Sequence, residues 1–92
     1  MIEIIYDGNT TLQVRGHAGS AEPGKDLICA AVTALTLTLG ESAEKAQIQR
    51  GQALLQGGSS QIFEAIARGF ALLGAAYPYA VHYKCMDIEK EK

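Results

Sequence analysis

The sequence holds two histidines and two cysteines, arranged as His17 with Cys29 and as His82 with Cys85. Cysteine and histidine together supply nucleophilic catalysis: the thiolate attacks a carbonyl, and the imidazole moves the proton near neutral pH. His17 stands in Gly16-His17-Ala18-Gly19, and Cys29 comes twelve positions later in Gly24-Lys25-Asp26-Leu27-Ile28-Cys29-Ala30-Ala31-Val32. Gly16 and Gly19 free the backbone around the histidine, and Gly24 lets the chain turn into a helix. Asp26 is a good helix N-cap, which places Cys29 at the third helical position, beside the unpaired N–H groups and the positive end of the helix dipole. Both favour a thiolate, and the same N–H groups can receive a developing oxyanion.

At about 100° per residue, Cys29 lies on the flank of the helix toward Thr33 and Thr36, at the margin of the apolar stripe. Thr33, one turn on, is set to touch a substrate, the thiol or its own helix. Asp26 has a second role open to it, orienting His17. The plainer readings stand beside these: a cysteine at an alanine-rich helix start also serves as a small buried residue, and a loop histidine as polar surface. His82 and Cys85 have the spacing of zinc ligands, but in a strand they point to opposite faces. No metal site is expected, and Cys85 is assigned to the core.

The elements that must position these residues can be read from periodicity. Ile2, Ile4 and Tyr6 alternate as a strand; Asp7-Gly8-Asn9 is a turn, and Leu12 and Val14 mark a second strand ending at Gly16. A loop from Gly16 to Lys25 leads into a helix from Leu27 to about Lys45. Its buried face is Ile28, Ala31, Val32, Leu35 and Leu39, and Gly40 is the point where it bends or ends. Residues 46–50 and 52–56 flank Gly51 as a hairpin or one irregular strand. A second helix starts after Gly57-Gly58-Ser59-Ser60, buries Ile62, Ile66, Phe70, Leu73 and Tyr77 with Phe63 on its flank, and stops at Pro78. Val81, Tyr83 and Cys85 mark a last strand. The order β-β-α-β(β)-α-β predicts an α+β two-layer sandwich: a small, mainly antiparallel sheet with two helices on one face, as a single domain over residues 1–92.

The chain has 92 residues, 48% of them apolar and 20% charged, with a formal charge of −2 and a pI near 5.6. That balance argues against a direct nucleic-acid partner. Neither a signal peptide nor an apolar run near the roughly 20 residues of a membrane span is seen. A soluble cytoplasmic protein without a membrane partner is the expectation.

The run from Gly16-His17-Ala18-Gly19 through Asp26 and Cys29 to Val32 resembles the ribosomal-processing cysteine protease family Prp. The resemblance is tightest over residues 15–35 and extends more loosely along the chain. Thr33 stands where that family typically has serine, and Ser20 where a larger residue is common. The resemblance implies a small bacterial protein, commonly homodimeric, that removes an N-terminal extension from a large-subunit ribosomal protein precursor by cutting after an aromatic residue. It implies Cys29 as nucleophile, His17 as general base and acid, Asp26 as an adjacent acid, and no cofactor. The alternative is a non-catalytic ribosome- or protein-associated module on the same scaffold.

Overall fold

The structure is a computed structural model that describes residues 1–16 and 25–86, of Lys25 and Asp26 the backbone alone. Strands β1 (Ile2–Tyr6) and β2 (Thr11–Gly16) form the first hairpin. Its turn is fixed by Asp7, whose carboxylate accepts from the N–H groups of Asn9 (2.8 Å) and Thr11 (3.1 Å). Helix α1 (Lys25–Ser42) leads to a second hairpin, β3 (Lys45–Gln49) and β4 (Gln52–Gln56), then α2 (Ser60–Ala76) and β5 (Val81–Cys85).

The five strands lie in the order β3-β4-β2-β1-β5. Pairings β1–β2, β2–β4 and β3–β4 are antiparallel, and β1–β5 is parallel. Strands β2 and β3 therefore run one way and β4, β1 and β5 the other. Parallel strands need a long crossover, and α1 (β2 to β3) and α2 (β4 to β5) are those crossovers. Both helices cover the same face, so the two-layer α+β architecture read from the sequence is the observed one.

The core is where the period-2 residues of the strands meet the helices. Ile2, Ile4, Tyr6, Leu12, Val14, Ala53, Leu55 and Val81 are buried from the sheet side. From α1 come Ile28, Val32 and Leu39, and from α2 Phe63, Ala67 and Phe70. Burying a side chain of the size of Phe70 contributes about 1.5–3 kcal/mol.

The helices depart from expectation in register. The centre of the α2 face is Phe63, Ala67 and Phe70; Ile66 and Leu73 pack at its margin, and Ile62 and Tyr77 are exposed. Phe70 is buried as expected; Phe63 fills the space beside it better than Ile62, and Ala67 between the two phenylalanines lets the helix approach. Ser59 caps α2, accepting from the N–H of Ile62 at 3.3 Å, and the helix ends before Pro78 as anticipated. Helix α1 begins at Lys25, runs through Gly40 and ends at Ser42, because Lys45 already belongs to β3. Gly40 serves by its small size: a Cβ there would stand 3.3 Å from the Ile48 side chain. Thr36, a polar residue, is buried in α1, with its hydroxyl donating to the carbonyl of Val32 at 2.7 Å.

Residues 46–56 are a true hairpin, closed by a two-residue turn. Gly51 has φ +81° and Arg50 does not enter the positive region, the φ pattern of a type II turn. Cys85 is exposed, not core. It shares the helix-side face of β5 with Val81 and Tyr83, but it is the last residue of an edge strand. No helix among the described residues is long and apolar enough to cross a membrane.

Candidate functional site

Cys29 is half-buried and packs against the core from the flank of α1, as its helical phase predicts. Because the helical backbone already includes Lys25 and Asp26, Asp26 is not the N-cap. It is the second residue of α1, and Cys29 is the fifth rather than the third. Aspartate is favoured both as a cap and within the first turn, so residue type alone could not separate the two positions. The unpaired N–H groups belong to the first four residues, and Cys29 comes directly after them. Its Cβ is tilted back toward the helix start, which keeps the thiol close to those groups.

The cysteine opens on a cavity of about 160 Å³ between α1 and the sheet. Thr33 and Leu37 continue the α1 wall beyond Cys29, with Thr36 and Val32 deeper. The opposite wall is the second hairpin, through Ile48, Gln49 and Gln52, and the floor is Ile2, Val14 and Ala53. None of the described lining residues is charged. Thr36 and Thr38 bond back to carbonyls of their own helix, whereas among the described residues Thr33 makes no such bond.

Gly16 closes one end of the cavity. It has φ +94°, and a Cβ at this position would run into the carbonyl oxygen of Met1. Only glycine fits there without strain. Its N–H donates to the carbonyl of Gly51 at 2.8 Å, which ties the end of β2 to the turn of the second hairpin. Strand β2 thus ends at the cavity, one residue before His17. His17 and Gly19 lie outside the described residues, as does the side chain of Asp26. Of the six site residues named from the sequence, the structure brings together Gly16, Cys29 and Thr33.

A family model for the cysteine protease Prp matches residues 1–81. The chain belongs to the Prp family of cysteine proteases. No curated protein sequence matches it. Among solved structures it is similar to SMU.848 from Streptococcus mutans: TM-score 0.77, 25% identity, covering 95% of this chain and 93% of that one. It shares its fold with the essential ribosomal processing protease Prp from S. aureus in complex with a substrate peptide, with TM-score 0.73, 14% identity, and coverage of 91% and 96%. The same S. aureus protease with a covalently linked product peptide gives TM-score 0.70, 16% identity, and coverage of 90% and 97%.

For a Prp-family fold, the walls contributed by Ile48, Gln49, Gln52 and Leu37 are the part that sequence reasoning missed. The available signal was the glycine between two short runs at 46–56, which marks a hairpin. Nothing in the sequence says that this hairpin faces α1. A second cavity, of about 280 Å³, lies at the other end of the sheet between Tyr6, Tyr83, Cys85 and the Glu64–Arg68 pair of α2. Burial first, then the nearby Glu64, pushes the Tyr6 hydroxyl above its ordinary value. Burial and the neighbouring Cys85 thiol do the same to Tyr83. His82 is exposed on the opposite face of β5 from Cys85.

Proposed function

We propose that this Prp-family protease is an endopeptidase that removes an N-terminal extension from a large-subunit ribosomal protein precursor, with Cys29 as nucleophile and His17 as its base. One observation carries the reading: Cys29 and Gly16, the residue before His17, line the same cavity. The S. aureus relative's complexes with substrate and product peptides support a peptide substrate.

In this mechanism the Cys29 sulfur attacks the scissile carbonyl carbon as His17 takes the thiol proton. The N–H groups at the start of α1 receive the charge that develops on the carbonyl oxygen. Collapse of the adduct breaks the C–N bond, His17 returns the proton to the leaving amine, and a thioester remains on Cys29. Water, deprotonated by His17, attacks the thioester; the peptide acid leaves and the thiol is restored. Asp26 orients the imidazole, and Thr33 contributes its hydroxyl at the cavity wall. Uncharged walls of Ile2, Val14, Leu37 and Ile48 suit a bulky apolar side chain beside the scissile bond. No cofactor is required.

The same reading makes the protease a cytoplasmic homodimer. Support for the dimer comes from α1, which carries no charged residue from Leu27 to Gly40 and leaves Leu27, Ala30, Ala34 and Leu37 exposed along its outer side. A helix that exposes such an uncharged, largely apolar side is ordinarily covered there by another surface.

The test is cleavage of an extended ribosomal precursor peptide, read by mass spectrometry. Wild type is expected to release the extension through a thioester on Cys29. Cys29→Ala and His17→Ala are expected to lose cleavage with unchanged circular dichroism. Wild-type rates in either variant would remove the dyad from the mechanism.

A further inference from the structure

We propose that the uncovered face of the sheet is a binding surface for single-stranded RNA. This face meets the cleft lined by Cys29 only at its edge, where Gln49 and Gln52 border both, and it does not depend on the proposed protease reaction. The overall charge of −2 argued against nucleic acid, but the topology segregates the charges. The strand register sets two rows of outward side chains across all five strands. One runs Gln49, Gln52, Arg15, Glu3, His82, and the other Gln47, Leu54, Gln13, Ile5, Lys84. Lys45 and Gln56 extend the surface beyond the second row. Arg15, Lys45 and Lys84 thus share this face with one carboxylate, Glu3, and Arg50 adds a cation at the tip of the second hairpin. The other carboxylates among the described residues lie elsewhere: Glu41 and Glu64 on the helices, Asp7 and Glu44 on connections.

Charge complementarity calls for a polyanion, and the amides narrow its kind. Gln13, Gln47, Gln49 and Gln52 gather with Arg15 around a depression of about 90 Å³ over Leu54. Each glutamine offers a donor and an acceptor together, the pairing that base edges present. An acidic polypeptide could use the cations and the amides, but it offers no flat ring to cover Leu54 and Ile5 between them. Bases laid over Leu54 and Ile5, with phosphates on Arg15, Lys45, Arg50 and Lys84, satisfy both sets, and the ribose 2′-OH gives the amides a further partner. Aliphatic floors replace the stacking platforms of strong single-strand binders, so affinity is modest.

The experiment measures fluorescence anisotropy of a labelled 12-nucleotide oligo(A) RNA against the full chain at about 50 mM salt. Saturable binding is expected, with log K falling against log salt with a slope of about −3, from roughly 0.7 per neutralised phosphate over four contacts. Lys45→Glu with Lys84→Glu, both remote from the Cys29 cavity, is expected to weaken binding at least tenfold while peptide cleavage is unchanged. Gln47→Ala is expected to weaken binding about threefold at an unchanged salt slope. No saturable binding, or equal binding by the Lys45/Lys84 double variant, would overturn the proposal. Equally tight binding of the DNA of the same sequence, or of polyglutamate, would overturn the assignment to RNA.

Discussion

Gly16 and Gly51 are joined by a 2.8 Å hydrogen bond between the backbone N–H of the first and the carbonyl of the second. Gly16 ends β2 and Gly51 sits in the β3–β4 turn, so the bond links the exit toward His17 to the hairpin that forms one wall of the cavity. Gly16 has a left-handed φ, and the Met1 carbonyl leaves no room for a side chain.

Gly16→Ala should therefore destabilise the fold. The left-handed backbone alone costs about 1–2 kcal/mol, and displacement of Met1 adds to it. For a domain of this size each 1 kcal/mol lowers Tm by about 4–8 °C. A melt by circular dichroism checks this, and a Tm within a degree or two of wild type would contradict the steric argument.

Thr33 is exposed, and among the described residues its hydroxyl makes no bond to its own helix, so substitutions there should separate function from stability. Thr33→Val is expected to change stability by no more than about 0.5 kcal/mol. If the hydroxyl hydrogen-bonds the reacting peptide, its loss lowers kcat/KM by up to about tenfold, since such a bond is worth about 0.5–1.5 kcal/mol. Thr33→Ser should retain the rate. Steady-state kinetics on the precursor peptide decides it, and equal rates for all three would remove Thr33 from the mechanism.

Tyr6 and Tyr83 make the fold sensitive to alkali. Both hydroxyls titrate above their ordinary value of 10.0 in the folded protein, burial being the largest cause. A raised folded value means the native state holds the proton more tightly than the unfolded chain. Their contribution is complete below pH 10 and is lost as pH rises through the folded values. Tm measured from pH 8 to 11.5 should fall above about pH 10, and Tyr83→Phe should flatten that fall. An unchanged slope in the variant would rule out Tyr83 as a source.

Phe70 is completely buried between α2 and the rest of the core. Phe70→Ala should cost about 3–5 kcal/mol. Ile62→Ala, on the exposed side of the same helix, should cost much less. Denaturant titrations of both variants test the observed α2 register at Ile62, with Phe70 as the buried reference, and a loss at Ile62 as large as at Phe70 would favour the isoleucine stripe.

Much of the fold was legible because it rests on local physics. Strict alternation at Ile2, Ile4 and Tyr6 and at Leu12 and Val14 marks strands. Ser59 and Pro78 bracket a helix by hydrogen bonding and by the lack of a proline N–H. Where two local solutions are close in energy, periodicity misled. The stripe read on α2 is right at Phe70, but only the space above the sheet selects Phe63 and Ala67 beside it over Ile62 and Tyr77. Cys85 alternates as a core residue would, yet at the end of an edge strand it is exposed.

The sequence by itself determined the elements, the helical phase that puts Cys29 at the margin of the core, and a His17–Cys29 spacing that resembles the Prp family. These depend on residues near one another in the chain. Tertiary structure decided what surrounds the cysteine and what the sheet shows to solvent. Ile48, Gln49 and Gln52 come to Cys29 because β4 pairs with β2 and carries β3 under α1. Arg15, Lys45 and Lys84 share one face because five strands align in a particular register. Strand order and register are long-range properties, set by how the whole set of apolar faces is buried at once, and no local window of sequence contains them.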